Sequence, residues 1–242
     1  MSIQFKIKNW KLALIALIFF ILFTKLGFWQ LSRAREKTIL LDTFHTRMIH
    51  PPLSAKEMNI TSDLRFYRAT LSGTFDNQQI LLLDNKTFRG QVGYEVYTPF
   101  KAMGLKSAIL VDRGFIPLPN MRRDILPAIL PMTGKIQISG LLNIPPNYVA
   151  YGKMNERSDK NLKRIEFIDL SLLAKQFGYP LYPYILTLDP KNPAAYAIEW
   201  QIITMGPERH IGYAIQWFAF ALILLILFVA LNCRKTSEDF RS

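Results

Sequence analysis

Residues 211–232, IGYAIQWFAFALILLILFVALN, run without one charged side chain. A helix rises about 1.5 Å per residue, so about 20 apolar residues cross the hydrocarbon core of a bilayer, about 30 Å thick. This stretch is long enough. A second apolar run, LALIALIFFILF at 12–23, is shorter and is followed by Thr24 and Lys25. Basic residues ahead of a short apolar run also describe a secretory signal peptide. No small-x-small cleavage pattern follows, however, and the Lys25 amine lies about two turns from the outer end, within snorkelling reach of the interface. The reading is an uncleaved anchor over 10–31, a second anchor over 210–232, and a domain between them at 32–209.

Orientation follows from the short flanks, because a long loop can translocate whatever its charge. Lys6, Lys8 and Lys11 precede the first anchor, and Arg234 and Lys235 follow the second. Residues 1–9 and 233–242 are therefore expected in the cytoplasm. The domain between the anchors is expected on the periplasmic face of a bacterial inner membrane, since no Arg/Ser-rich presequence comes before the first anchor. Trp10, Trp29 and Trp217 lie near the expected interfaces, in keeping with aromatic belts.

The formal charge is +12, but the excess is scattered: 23 basic and 16 acidic side chains share residues 33–209 without a long Lys/Arg run. Backbone-directed nucleic-acid binding needs a clustered positive surface, so that class is set aside. A solvated surface beside anionic lipid headgroups fits better. The single cysteine, Cys233, excludes an internal disulfide and a Cys-based metal site. Three histidines, His45, His50 and His210, leave little for a metalloenzyme centre of ordinary type.

The domain itself reads as mainly antiparallel α+β. Ser32–Arg47 can continue the first helix until Pro51-Pro52. In RFYRATLSGTF, Tyr67, Ala69 and Leu71 alternate with polar neighbours, which is the period of a half-buried strand. Further strands are expected in QQILLLD, YEVYTPF (94–100), SAILVDRGF (107–115), KIQISGLL (135–142), PYILTLD (183–189) and AIEWQII (197–203). One helix is expected after Asp169 as N-cap, with Leu170, Leu173, Ala174 and Phe177 on its apolar face and Gly178 closing it. Residues 143–166 are polar and irregular, as in an exposed loop.

Catalytic signatures are missing: no GxSxG, HExxH, P-loop or GxGxxG occurs. A hydrolytic triad would need His45 or His50, which read more simply as surface histidines beside the membrane. VDRGF reads as a strand end with a local Asp112–Arg113 ion pair. His210 is different. Successive helical residues turn by about 100°, which puts His210, Tyr213, Ala214, Trp217 and Ala221 on one stripe. That stripe suits a helix–helix seam with an interfacial histidine first, and an imidazole ligating haem iron second. Gln30 and Gln216 are amides near the outer ends of the two anchors, expected to pair with each other. Arg33 is expected to meet lipid phosphate or an acidic ligand group.

LGFWQLSRAREK after the first anchor, RFYRATLSGTF, the pair GYEVYTPF and ILVDRGFIP, and the closing PERHIGYAIQWFAFA together resemble the surfeit locus protein 1 family. The resemblance covers nearly the whole chain, in order. It implies a two-helix membrane protein, not an enzyme, that assists assembly of haem-copper cytochrome c oxidase. The implied partners are the catalytic subunit of that oxidase, and also the enzymes of haem a synthesis. The resemblance further implies haem a as transient cargo, with His210 as axial ligand to its iron, Tyr213 and Trp217 beside the ring and Arg33 near a propionate. Gly27, Trp29, Gln30 and Arg33 match the first-anchor pattern, and Tyr213, Gln216 and Trp217 the second. Phe75, Gly114 and Phe115 correspond to structural positions. Residues 150–166 depart from the family's Asn/Pro/Trp-rich segment. The alternative is a scaffold that stabilises the nascent oxidase subunit without haem.

Overall fold

The structure, a computed structural model, describes residues 2–5, 9–122, 125–146, 157–159, 161–200 and 202–236. It divides into two compact units, residues 1–42 with 202–242 and residues 43–201. The first unit holds two helices long and apolar enough to cross a membrane. Helix α1, Trp10–Met48, is unbroken over 39 residues, about 58 Å at the standard rise. Asn9 caps it: its side-chain oxygen accepts from the backbone N–H of Lys11 at 3.0 Å. The expected continuation beyond residue 31 is thus a single rod that stops before Pro51-Pro52. Strand β1, Ser2–Phe5, pairs antiparallel with the C-terminal strand Cys233–Thr236, a ribbon that periodicity did not suggest.

The second unit is β-rich. After a one-turn helix α2, Ala55–Met58, come β2 (Arg68–Phe75), β3 (Ile80–Phe88), β4 (Gln91–Ala102), β5 (Ala108–Pro117), β6 (Ile136–Asn143), β7 (Arg157–Asp159), β8 (Leu162–Ile165), helix α3 (Leu170–Phe177) and β9 (Leu181–Leu188). The sheet order is β2-β6-β9-β5-β4-β3-β8-β7, and β2 also pairs with β4. That extra pairing, Gly73 to Phe75 against Ala102 to Phe100, closes five strands into a barrel. The β5–β9 and β3–β8 pairs are parallel and the rest antiparallel, so the mainly antiparallel α+β expectation holds. The chain is a membrane protein of α+β class.

The barrel closes around the alternating residues of its strands. Ala69, Leu71 and Phe75 of β2, Phe100 of β4, Ile109 and Val111 of β5 and Ile138 of β6 are buried in one cluster. On the outer face Leu83, Tyr97, Leu110 and Ile185 are covered by Leu173 and Phe177 of α3. This helix is built as its sequence dictates. The Asp169 carboxylate accepts from Ser171 and Leu172 N–H, and Gly178 takes the left-handed conformation that ends it.

Three expectations need correction. AIEWQII forms no strand over its described residues: Ala197 makes one bridge to Phe115, and the segment is fastened by side chains instead, the Trp200 indole donating to Leu188 O at 3.0 Å. Residues 143–166 are not simply a loop, since 157–159 and 162–165 are strands and Ile165 is fully buried; residues 147–156 and 160 lie outside the described residues. Asp112 and Arg113 do not pair. Adjacent on a strand, they point to opposite faces. Asp112 accepts from Thr187 Oγ1 at 3.2 Å and from Gly114 N–H at 2.9 Å. Arg113, 2% exposed, donates to Ala194 O at 3.0 Å and lies over the Phe75 and Tyr196 rings. Gly114 follows in the left-handed region, where a Cβ would lie 2.7 Å from Ala197 O. These contacts explain VDRGF as architecture.

Candidate functional site: the seam between the membrane helices

The histidine stripe lies on helix α4, Pro207–Asn232. Its buried residues are His210, Ala214 and Ala221, one or two turns apart. The buried residues of α1 are Gly27 and Ala34, a turn to either side of Gln30. Small side chains let two helices approach closely without any hydrophobic gain over lipid. Gly27 shows how tight the seam is: a Cβ there would lie 2.6 Å from the Phe218 ring. Phe218 meets Phe28 edge-on at 5.3 Å, and Trp217 stacks on Phe23 at 5.7 Å. Within this seam of the described residues His210 makes a polar contact with Gln30.

That contact is His210 Nδ1 to Gln30 Oε1 at 2.8 Å. A carboxamide oxygen accepts, so Nδ1 donates to it in the tautomer that carries the proton there. The expected Gln30–Gln216 pair is not formed. Gln30 does bond across the helices, but to His210, while Gln216 is exposed on α4. The reason is rotational: Gln216 is six residues from His210, on the far side of the helix.

The remaining site residues spread around this contact. Tyr213 is 44% exposed and Trp29 52% exposed, so both lie on the outer surface of the helix pair and not in the seam. Arg33 donates to Glu36 Oε2 at 2.6 Å and lies 5.9 Å from the centre of the Trp29 ring. Its charge thus has a local partner, although an exposed pair of this kind contributes at most about 1 kcal/mol and exchanges readily. His45 and His50 are exposed, with rings against Phe44 and Tyr67. They do not meet as a catalytic pair. Among the described residues no group of three His, Cys, Asp or Glu side chains could hold a metal ion.

An almost entirely apolar cavity of about 590 Å³ lies in the same unit, lined by Trp10, Ala13, Leu17 and Phe20 of α1 and by Leu224 and Phe228 of α4. Leu224 is fourteen residues beyond His210, about 21 Å along the helix. The cavity therefore belongs to the opposite end of the helix pair from the imidazole. The donor set at His210 suits an iron porphyrin in kind, with one imidazole whose Nδ1 faces the Gln30 oxygen. Trp29, next to Gln30 in the chain, and Tyr213, three residues after His210, are both exposed aromatic residues.

The family model for SURF1, described as the SURF1 family, matches residues 17–222. The chain belongs to the SURF1 family. The match takes in every seam residue named above, from Phe23 to Ala221. A SURF1-like protein of Rickettsia prowazekii is 32% identical over 118 residues, covering 48% of this chain and 46% of that protein. The surfeit locus protein 1 of Xenopus tropicalis is 26% identical over 187 residues, 70% of this chain and 58% of that protein. The cytochrome oxidase assembly protein SHY1 of Saccharomyces cerevisiae is 25% identical over 102 residues, 41% of this chain and 26% of that protein. The chain spans about half the length of the rickettsial relatives it matches. As a SURF1 family member it carries, at the opening of its second membrane helix, a histidine held by a glutamine of the first. Neither composition nor periodicity suggested that particular partner. The signal available was only that both residues are polar groups at the outer ends of apolar helices.

Proposed function

We propose that this SURF1 family member is a membrane-anchored assembly factor for haem-copper cytochrome oxidase. It holds haem a as cargo through His210 while the catalytic subunit matures. Family membership and the printed function of SHY1 support the oxidase role. The observation that carries the haem role is the His210–Gln30 contact: with Nδ1 committed to the glutamine oxygen, the Nε2 lone pair is the one left for iron. One protein ligand would suit a carrier, because cargo held by a single residue can be released. Haem a brings its own redox chemistry, and the chain supplies attachment and exclusion of water.

Each residue then has a task set by its place. His210 offers the ligand at the outer end of α4, and Gln30 orients it. Trp29 and Tyr213, both exposed, would give aromatic surface for a porphyrin. Arg33 can exchange Glu36 for a carboxylate of the cargo, since both pairings are exposed and similar in energy. Lipid surrounds the two helices, and the barrel, on the periplasmic side of a bacterial inner membrane with both termini cytoplasmic, presents itself to the oxidase subunit. Enzymes that make haem a are the natural source of cargo. Chemistry on the cargo is not part of this role, and nucleic acid is not a partner.

A second reading, a haem-independent scaffold, is favoured by one observation: the 590 Å³ cavity is not beside His210, and an interhelical hydrogen bond can serve as glue alone. A strain lacking the gene and complemented with His210→Ala separates the two. The carrier reading predicts oxidase subunits that accumulate without their haem a absorbance. Full haem a content in that strain would favour the scaffold. Orientation is tested separately: a phosphatase fused after residue 242 should be inactive, and activity there would reverse the topology.

A further inference from the structure

We propose that Gln30 is the positioning residue of His210, fixing its proton on Nδ1 so that Nε2 becomes the ring's one coordinating nitrogen. The inference deepens the carrier reading and rests on it for its consequences with haem, but its core concerns the chain without cargo.

Within about one turn of the 2.8 Å contact the buried residues are Gly27, Ala34 and Ala214, none of which has a side chain that donates or accepts. His210 is 8% exposed, so water reaches little of it. A neutral imidazole exchanges its proton freely between two nitrogens in water, but in an apolar seam the nitrogen facing an acceptor keeps it. Losing that bond would strand a buried N–H, which costs more than the bond itself contributes. The glutamine therefore selects one tautomer, and selection by a neutral amide matters. A hydrogen bond at the outer nitrogen raises the basicity of the ligating one. A carboxylate there would raise it further, binding ferric iron more tightly than a carrier should. The amide gives orientation with moderate strength.

The contact also explains why the ligand and its support lie on different helices. Positioning by Gln30 makes ligation depend on both anchors being assembled. A chain whose first helix were displaced would lose the tautomer and, with it, the site.

The test uses the full-length chain in detergent, labelled with 15N-histidine, free of haem. The His210 ring signals are assigned by their loss in His210→Asn. The expected result is the Nδ1–H tautomer in the unsubstituted chain and in Gln30→Glu, and a shift toward Nε2–H or a mixture in Gln30→Leu. An Nε2–H ring in the unsubstituted chain overturns the inference, as does a Gln30→Leu spectrum identical to it. Gln30→Glu keeps the acceptor, so it separates loss of positioning from loss of folding. With haem bound, Gln30→Glu should move the midpoint potential to more negative values; an unmoved potential reduces Gln30 to helix glue. A chain that shows the expected tautomers yet takes up no haem supports the positioning of His210 and refutes the carrier reading alone.

Discussion

Gly73→Ala tests the closure of the barrel. Gly73 is buried on β2 and is paired on both sides, to Ile136 of β6 and to Ala102 of β4. A Cβ there would lie 2.9 Å from Ala102 Cα and 2.9 Å from the Lys101 carbonyl carbon, and closer still to the carbonyl oxygen. Carbon atoms at rest keep about 3.5–4.0 Å apart. The intruding methyl thus overlaps backbone atoms, which cannot rotate aside as a flexible side chain would. Overpacking of a tight interior costs about 1–3 kcal/mol, and a clash with two ladder strands belongs at the upper end, about 3 kcal/mol. Replacing glycine by alanine returns about 0.4–1 kcal/mol by restricting the unfolded chain. The net loss is about 2–3 kcal/mol, a fall in Tm of roughly 5–10 °C for a unit of this size. Near-ultraviolet circular dichroism of the full chain in detergent follows the aromatic residues of the barrel. Thr74→Ala, at an exposed neighbour, is the control and should stay within about 0.5 kcal/mol. A Gly73→Ala chain that melts with the control would show that β2 does not close against β4.

Three further outcomes are expected. Burial pushes the Asp112 carboxyl up to about 7, and the nearby charge of Glu95 adds to the effect. The folded state therefore holds a proton that the unfolded chain, with a carboxyl near 3.8, releases. Stability from this group is complete in acid and is lost as pH rises through about 7. The melting temperature of Asp112→Asn should depend less on pH across that window, and equal slopes for both chains would refute the assignment. Leu173→Ala removes a fully buried side chain from the face of α3 that covers Tyr97 and Leu110; chemical denaturation should show a loss of about 2–5 kcal/mol. Asp169→Ala leaves Ser171 and Leu172 N–H without their acceptor, and the same measurement should show about 1 kcal/mol.

How much of this the sequence discloses depends on how local the cause is. Helix α3 is legible to the residue, because Asp169, its apolar face and Gly178 are all contained in ten consecutive positions. The membrane helices are legible from hydropathy, and β2 from its alternation. Barrel closure is not legible, since it rests on three residue pairs between Gly73–Phe75 and Phe100–Ala102, and strand period says nothing about which strand comes alongside. AIEWQII shows the reverse error. Its composition suits a strand, but Pro190 and Pro193 precede it, and Trp200 and Ala197 fasten it by single bonds instead of a ladder. In the site, the stripe containing His210 was visible from helical spacing. The identity of its partner was not, because the rotation of α1 about its own axis decides whether Gln30 or another residue faces the seam. Tyr213 illustrates the same limit: it shares the stripe by angle, yet lies at its edge and is exposed.

The absorption spectrum of the full-length chain, purified in detergent from cells that make haem a, tests the carrier role most directly. A Soret band in the unsubstituted chain that disappears in His210→Ala, with both proteins folded, is the predicted result. Equal pigment in the two chains, or none in either, would contradict it.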